Sequence, residues 1–486
     1  MKRTLSPELT AAVDARLARA NAEVARQFPG DPATRQPVHT VYGGAHLFSA
    51  DSAAKLGQLA RAAMDEYAPD AVTLARALGL PGADTLPESH ERIAELAAAF
   101  SGDARSHDAA RRVSEPAWLA HTVHALVKRK LVSEPVEDFR IDFEDGYGNR
   151  PSAEEDGHAE SAAREAGKGH AAGTLPPFLG IRIKPLTEEL RARSIRTLDI
   201  FLTTLVEACG GKLPDNFVVT LPKITHVDQV TALTELLELM EPRLGLPAGA
   251  LKFEIMVETP QSILTPRGEL AMPLLIAAGR GRCISAHFGT YDYTAGMNIT
   301  AVYQHMAHPV CDFAKHMMQV ALAGTGVTMS DGATNVMPVP AHRAAKGGPP
   351  LTAQQIAENR RMVHRAWKLH YDHVRHSLVG AFYQGWDLHP AQLVTRYAAV
   401  YTFFLESQEA ASERLKNFVA KAAQATLVGD VFDDAATGQG LLNFFLRGIG
   451  CGAISEDQVL ATGISLDELR GRSFVKILAN RKAAVS

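Results

Sequence analysis

The chain has 486 residues, of which 46% are hydrophobic and 21% are charged, and its formal net charge is −4. This composition is typical of a globular protein, and the charge excludes the strong basic bias of a protein that binds nucleic acid or anionic membranes. The length favours two domains, or one barrel with additional segments.

The cysteines and the first residues indicate the compartment. The four cysteines are scattered and form no C-x-x-C pair, so they predict neither a zinc site nor a disulfide framework. Residues 1–8 lack an apolar signal core, and no run approaches the roughly 18 apolar residues of a membrane span. We therefore expect a cytoplasmic protein that is neither secreted nor membrane-spanning, with no nucleic-acid partner.

The predicted elements begin with helical periodicity over residues 5–28, followed by short apolar runs that alternate with helical patterns. The predicted strands are Val38–Tyr42, Phe139–Phe143, Phe178–Ile183, Phe217–Leu221, Lys252–Val257, Cys283–Phe288, Gly326–Ser330 and Leu378–Leu388. The last has a mixed pattern that also fits a helix. Eight β-then-α steps predict an α/β fold, the (β/α)8 TIM barrel.

Three segments are additions to a minimal barrel, which spans residues 36–395 and contains one of them as an insertion. We expect an N-terminal helix over residues 1–35, a helical insertion at about residues 50–135 and a helical C-terminal extension over residues 396–486. Residues 152–174 fit either a helix or a mobile loop, and the Gly- and Pro-rich stretch 338–350 predicts a flexible segment.

Two predicted strands end near a carboxylate, the fifth at Glu258 and the sixth at Asp292. The carboxyl ends of the strands of a parallel barrel open onto the face that carries the active site, so these side chains should converge. Mg²⁺ takes hard oxygen ligands and keeps several waters. The pair therefore predicts a divalent-metal site with Glu258 and Asp292 as ligands.

Acidic residues also follow the second strand, in Asp142-Phe143-Glu144-Asp145. Three acids in four residues are a poor choice for a core, but they suit a strand end that orients water or a base. They also suit the N-cap of the next helix, which is the alternative interpretation.

Cations follow the third and fourth strands. Alternation places Arg182 and Lys184 on one face of the third strand, and basic side chains inside a barrel must meet anions. A guanidinium suits a carboxylate substrate or an enolate oxygen, although a surface salt bridge is an alternative. Lys223 adds a cation that pairs with the acids, contacts substrate or is solvated.

The remaining motifs at strand ends are a turn, an acid and a histidine. Gly289 and Thr290 follow the sixth strand in a tight turn where the backbone can approach a ligand. Asp331 ends the seventh strand, and His389 follows the eighth beside a proline. The pair Gly43-Gly44 after the first strand fits a tight turn better than a phosphate contact.

Taken in order, these motifs resemble the aldolase/citrate lyase β-subunit superfamily, which includes malyl-CoA lyases and class II 2-oxo-acid aldolases and has malate synthase as a distant relative. The motifs are Asp142-Phe143-Glu144-Asp145, Arg182-Ile183-Lys184, Pro222-Lys223, Glu258-Thr259, Phe288-Gly289-Thr290-Tyr291-Asp292, Asp331-Gly332 and Gly385-Trp386-Asp387-Leu388-His389-Pro390-Ala391-Gln392. The match covers roughly residues 36–395.

The resemblance implies a Mg²⁺-dependent carbon–carbon lyase or aldolase, with Mn²⁺ as an alternative metal. A 2-oxo acid or related carboxylate would react through a metal-stabilised enolate, whose oxygen Arg182 would stabilise. Glu144 and Asp145 would position water or a base, with Lys223 beside them. Lys184, Gly289 and Thr290 would join Arg182 in binding a small anionic carboxylate substrate. Relatives often complete their site with a neighbour's C-terminal segment, so we expect a homo-oligomer.

The chain also departs from the family pattern. Lys184 stands where Asn is usual, Trp386 stands where Lys is usual, and the spacing from Glu258 to Asp292 is long. The branch and the substrate therefore do not transfer by analogy. One alternative function is a CoA-thioester lyase or synthase, although no phosphate-binding glycine motif indicates CoA. The others are phosphotransfer on pyruvate or phosphoenolpyruvate, and a non-catalytic binding barrel.

Overall fold

Eight parallel strands close into a barrel in the computed structural model of the chain, with the eighth strand paired to the first. The structure describes residues 4–32, 34–89, 91–93, 95, 111–112, 114–420, 426–428, 431–433, 435–471, 473, 476–477 and 480. The barrel strands are β1 (His39–Gly44), β2 (Asp138–Asp142), β3 (Phe178–Arg182), β4 (Phe217–Leu221), β5 (Lys252–Val257), β6 (Cys283–Phe288), β7 (Thr328–Ala333) and β8 (Gln384–Asp387).

The predicted α/β class and (β/α)8 barrel are confirmed. The bounds of β4, β5 and β6 are those that the short apolar runs predict, because strands buried inside a parallel barrel are rich in apolar residues. The eighth predicted strand, Leu378–Leu388, is wrong over its first part. A helix continues through Val379, and the chain turns before the short strand β8 begins.

Helices follow the strands and extend the barrel. The described helices are α1 (Pro7–Gln27), α2 (Ser52–Tyr67), α3 (Ala71–Leu78), α4 (Glu115–Ser133), α5 (Ser152–Ala172), α6 (Arg191–Ala208), α7 (Val227–Arg243), α8 (Pro260–Ile263), α9 (Ala271–Ala278), α10 (Thr290–Gly296), α11 (Pro309–Leu322), α12 (Ala353–Val379), α13 (Gln392–Ala420), α14 (Ala435–Gly450), α15 (Glu456–Leu460) and α16 (Leu466–Arg470). None of the described helices combines the length and the apolar content that a membrane crossing requires.

The segments that were expected outside the barrel are largely helical where they are described. Helices α2, α3 and α4 lie in the 50–135 insertion, although residues 96–110 of that prediction lie outside the described residues. The C-terminal extension differs from a purely helical prediction, because a two-stranded hairpin of β9 (Thr426–Val428) and β10 (Val431–Asp433) follows α13. Residues 152–174 form α5 rather than a loop.

The barrel interior contains a buried ionic layer. Arg140 on β2 donates two hydrogen bonds of 2.8 Å to the carboxylate of Glu254 on β5, and it also pairs with Asp138. His287 on β6 lies 3.2 Å from the same Glu254 carboxylate, and Thr220 on β4 donates to it. These contacts join strands across the barrel and form a rigid floor below its mouth.

Candidate active site

A cavity of about 310 Å³ opens at the carboxyl ends of the strands, the face on which barrel enzymes place their catalytic groups. Its lining includes Arg182, Asp145, Glu258 and Asp292. A larger cavity of about 620 Å³ lies at the other end of the barrel, where Arg140 is already paired with carboxylates. We assign the chemistry to the smaller cavity because acidic side chains that follow several strands converge there around Arg182.

Asp142, the last residue of β2, organises the acidic turn. Its Oδ1 accepts a hydrogen bond from the backbone N–H of Glu144 at 2.9 Å, and its Oδ2 accepts one from Gly146 at 2.7 Å. The following helix begins ten residues after Asp142 in the sequence, at Ser152, so the N-cap interpretation of these acids is wrong. The turn instead presents Glu144 and Asp145 toward the barrel mouth.

Arg182 lies at the centre of the mouth and is 5% exposed. Its Nε and Nη2 donate to the two oxygens of Asp142 at 2.7 and 2.6 Å, and its Nη1 lies 3.1 Å from Glu144. Burial opposes the charge, but Asp142 and Glu144 raise the pKa of the guanidinium well above its usual value. Because Arg182 is buried and held bidentately, the surface salt-bridge interpretation is wrong for this residue.

Lys184 lies elsewhere. Its Nζ donates to the carbonyl oxygen of Phe143 at 2.5 Å and lies 3.0 Å from Glu155 on α5. The strand ends at Arg182, so alternation no longer applies two residues later, and Lys184 turns toward the helices. It is not among the residues that line the cavity, and it holds the acidic turn from behind.

Lys223 connects the acidic turn to the predicted metal ligands. Its ammonium contacts Glu144 and lies 3.2 Å from Asp145 and 3.3 Å from Asp292. Its backbone adopts a left-handed φ of 49°, and its N–H donates to Oε1 of Glu258 at 2.7 Å. Burial lowers the pKa of Lys223, but the surrounding carboxylates raise it by more than burial lowers it. The side chain therefore remains a cation.

The two acids of the turn have pKa values that are displaced in opposite directions. Burial raises the pKa of Glu144 to about 7, against the lowering effect of Arg182 and Lys223. Burial also raises the pKa of Asp145, but Arg182 and a hydrogen bond to Glu144 lower it below its usual value overall. When the pKa values of two neighbouring carboxyl groups differ in this way, one group can transfer a proton while the other remains an anion.

Glu258 and Asp292 reach the same mouth by different routes. Glu258 directly follows β5 and is 1% exposed, whereas Asp292 lies in the first turn of α10 rather than at the end of β6. Burial and the negative charge of Asp292 raise the pKa of Glu258 to about 8, although Lys223 lowers it. A cation between the two carboxylates would relieve that repulsion.

The donor set fits Mg²⁺ or Mn²⁺. Both predicted ligands are carboxylates, the hard oxygen donors that these ions prefer. In the part of the chain that the structure describes, no group of three or more His, Cys, Asp or Glu side chains is placed to hold a metal. An ion bound by Glu258 and Asp292 would therefore complete its coordination with water and ligand oxygens, as Mg²⁺ commonly does.

Gly289 and Thr290 lie against the metal-ligand pair. A Cβ on Gly289 would lie 2.5 Å from Cβ of Glu258 and closer still to its Oε2, so only glycine fits here. Thr290 is 2% exposed, and its hydroxyl has no hydrogen-bond partner among the described residues. The cavity therefore contains a buried donor that nothing in the described protein uses.

Asp331 and His389 do not line the cavity, and Asp331 lies within β7 rather than at its end because the strand continues to Ala333. Asp331 is buried beneath the helices, where Lys315 lies 3.0 Å away and Ser377 donates to it at 2.6 Å. His389 accepts a hydrogen bond from the backbone N–H of Ala391 and lines a neighbouring apolar cavity.

Three residues that shape the site, Asp142, Tyr42 and Trp386, have no predicted role in catalysis or binding. Asp142 was seen only as part of an acidic motif, although it orients Arg182. Tyr42 and Trp386 line the cavity, with the Arg182 guanidinium 4.8 Å from the ring centre of Tyr42. The presence of Trp386 where Lys is usual marks this position as unusual in the sequence. It does not reveal that the Trp386 ring packs against Tyr42 on β1.

Several solved structures are similar to this chain. A citrate lyase from Burkholderia xenovorans LB400 is 18% identical, covering 70% of this chain and 92% of that one, with a TM-score of 0.51. CitE from Mycobacterium tuberculosis, in complex with magnesium, acetoacetate and coenzyme A, is 14% identical over 67% of this chain and 94% of that one, with a TM-score of 0.43. Haloferax volcanii malate synthase is 15% identical over 58% of this chain and 74% of that one, with a TM-score of 0.41.

At these identities, the likeness to the Burkholderia protein shows a shared fold and nothing finer. No curated protein matches the chain. One family model, described as Domain of unknown function (DUF6986), matches residues 17–477.

Proposed function

The chain therefore belongs to the DUF6986 family, and we propose that it is a Mg²⁺-dependent carbon–carbon lyase or aldolase acting on a 2-oxo acid or a related carboxylate. The observation that carries the proposal is the convergence of two cations and five carboxylates at one barrel mouth: Arg182 and Lys223 with Asp142, Glu144, Asp145, Glu258 and Asp292. Such a concentration of charge is costly to bury, and it suits a small anionic substrate held beside a divalent cation.

Glu258 and Asp292 would hold the metal, for which Mn²⁺ could substitute. When bound, the ion would supply Lewis-acid polarisation and a template for the substrate oxygens. The N–H of Lys223 fixes Glu258 at 2.7 Å, so one ligand is oriented before any ion binds. Gly289 leaves the space in which that carboxylate lies.

Arg182 would stabilise the enolate oxygen that develops as a carbon–carbon bond forms or breaks. Asp142 holds the guanidinium through two hydrogen bonds, so its direction is set in advance. Glu144, with a pKa of about 7, would take the proton from the carbon next to the carbonyl, and Asp145 would remain ionised beside Lys223.

The substrate carboxylate would meet the Thr290 hydroxyl, which has no partner among the described side chains, and the backbone at Gly289. Lys184 was predicted to join this set. Its contacts with Glu155 and the Phe143 carbonyl support an indirect part, in which it keeps the acidic turn in place.

A CoA thioester is the second candidate substrate, and one observation favours it. An apolar cavity of about 250 Å³ adjoins the site and shares Tyr42 and Leu388 with it, with Lys55 among its other lining residues. A thioester arm could lie there while its acyl end reaches the metal ligands. Mg²⁺-dependent deuterium exchange into the methyl group of acetyl-CoA would support this candidate over the free 2-oxo acid.

The test of the main proposal is exchange of the pyruvate methyl protons in D₂O, followed by NMR, because it reports enolate formation without the second substrate. We expect exchange with Mg²⁺ that EDTA stops. Glu258→Gln and Asp292→Asn should each abolish it, while the exposed control Glu235→Gln should retain it. Exchange at the wild-type rate in Glu258→Gln would contradict the metal assignment.

A further inference from the structure

The barrel mouth contains an aromatic wall to which the proposed reaction gives no role. Tyr42 on β1 and Trp386 on β8 have ring centroids 4.5 Å apart, and they pack with Met256 and Ala333 as a cluster separate from the main core. Both aromatic side chains line the cavity that contains Glu258. Part of the cavity lining is therefore aromatic, and it adjoins the charged groups where the guanidinium of Arg182 lies over the ring of Tyr42.

Trp386 brings an unsatisfied hydrogen-bond donor to this wall. Its side chain is 8% exposed, and no described group accepts a hydrogen bond from its Nε1. By contrast, Nε1 of Trp367 donates to the carbonyl oxygen of Ala391 at 2.8 Å. A buried N–H without an acceptor carries a desolvation penalty, so a ligand oxygen that reaches it recovers that free energy.

The backbone that carries Trp386 is anchored from behind. Arg396 donates from Nη2 to the carbonyl oxygen of Trp386 at 3.1 Å and pairs with Asp387 at 3.0 Å. Gly385 leaves room for this guanidinium, since a Cβ there would lie 2.9 Å from its Nη1. A ligand oxygen that reaches the indole N–H would therefore meet a donor on an anchored strand, which reduces the ordering cost of binding.

We propose that Trp386 determines substrate specificity by selecting 2-oxo acids that carry a second oxygen acceptor, a hydroxyl or a carboxylate, beyond the carbonyl. The inference rests on the proposed function, because the chelating end of the same ligand would be held by Glu258 and Asp292. The indole N–H binds the distal oxygen, and the ring of Tyr42 shields that hydrogen bond from water. One such hydrogen bond is worth about tenfold in affinity.

The test compares two ligands of nearly equal shape. Hydroxypyruvate and 2-oxobutyrate are both 2-oxo acids. Hydroxypyruvate ends in a hydroxyl group where 2-oxobutyrate ends in a methyl group. Each is titrated calorimetrically with Mg²⁺ into the wild type, Trp386→Phe and the control Trp367→Phe. We expect hydroxypyruvate to bind about tenfold tighter in the wild type and in the control, and the ratio to fall to about one in Trp386→Phe.

A second measurement does not depend on the folding of Trp386→Phe. The chain has three tryptophans, so an NMR spectrum of the indole N–H groups contains three signals to assign. The Trp386 signal can be assigned by elimination with Trp118→Phe and Trp367→Phe. We expect it to shift in the wild type with hydroxypyruvate and Mg²⁺, and to move far less with 2-oxobutyrate.

The outcomes separate this inference from the proposed function. Equal affinity of the two ligands in the wild type, or an unchanged ratio in Trp386→Phe, overturns the role of Trp386 and leaves the metal site standing. An indole signal that responds equally to both ligands does the same. If neither ligand binds in the presence of Mg²⁺, the proposed function fails and the specificity inference fails with it.

Discussion

Replacing Gly289 with alanine tests whether the space beside Glu258 is a functional requirement. Gly289 has φ of −104° and ψ of 94°, an extended conformation that alanine also adopts, so backbone preference does not decide the outcome. The available space decides the outcome, because the three atoms nearest to the added Cβ all belong to Glu258, whose own Cβ would lie 2.5 Å away.

The loss of stability and of Mg²⁺ affinity in Gly289→Ala follows from the displacement that this contact forces. An ordinary carbon–carbon contact needs about 3.5 Å, so the two residues must separate by about 1 Å. That movement breaks the 2.7 Å hydrogen bond from the N–H of Lys223 to Glu258. Losing one hydrogen bond to this buried carboxyl group should lower the free energy of unfolding by about 1 kcal/mol. Misplacing a ligand should weaken Mg²⁺ binding by about tenfold or more.

The assay pairs thermal unfolding with calorimetric titration of Mg²⁺, and Gly157→Ala is the matched control. Gly157 is exposed on α5 with nothing within 4 Å of an added Cβ, so alanine should stabilise the chain by about 0.5–1 kcal/mol through helix propensity. In a Glu258→Gly background, Gly289→Ala should cost little, because the clashing side chain is absent. Wild-type Mg²⁺ affinity in Gly289→Ala, or an equal cost in both backgrounds, would refute the reasoning.

Two further predictions concern buried ion pairs. Arg182→Lys should slow pyruvate exchange by about a hundredfold with the fold intact, because one ammonium cannot reproduce the bidentate contact with Asp142; full activity would make Arg182 structural. For Glu241, burial raises the pKa, but hydrogen bonds from Arg282 and two backbone N–H groups lower it to about 2. This carboxylate therefore stabilises the fold above its unfolded pKa of 4.5, and that stability, about 3 kcal/mol, is lost as the pH falls toward 2. Denaturation from pH 7 to pH 2 should show this loss in the wild type and in the exposed control Glu235→Gln, but not in Glu241→Gln. Equal pH profiles in all three would contradict the prediction.

The barrel could be predicted because most of its strands are buried and appear as short, largely apolar runs that alternate with helical patterns. The fifth and sixth strands, Lys252–Val257 and Cys283–Phe288, have the same bounds in the prediction and in the structure. The eighth was misplaced because β8 is short and contains Gln384, Gly385 and Asp387, which lack the apolar pattern. Its place in the barrel is fixed by pairing with β1, a contact between residues far apart in the chain.

The site was predictable as a set of charges but not as a set of contacts. Strand ends placed Glu144, Arg182 and Glu258 on one face, and the structure brings their side chains to one mouth. Sequence periodicity could not show that Lys184 leaves this face, because alternation holds only while the chain stays in the sheet. It also could not show that Asp142 accepts both hydrogen bonds from Arg182, since that pairing depends on the register of β2 and β3.

The ionic layer inside the barrel explains how the mouth can keep so many charges in fixed positions. Tyr42 lies between the two levels, with its hydroxyl 3.3 Å from His287 below and its ring against Arg182 above. His287 is in turn held by Glu254, whose carboxylate also accepts two hydrogen bonds from Arg140. Arg140, Glu254 and His287 thus each have a partner on another strand. The guanidinium of Arg182 rests on a floor that cannot shift without breaking buried ion pairs, which is the support that a preorganised site requires.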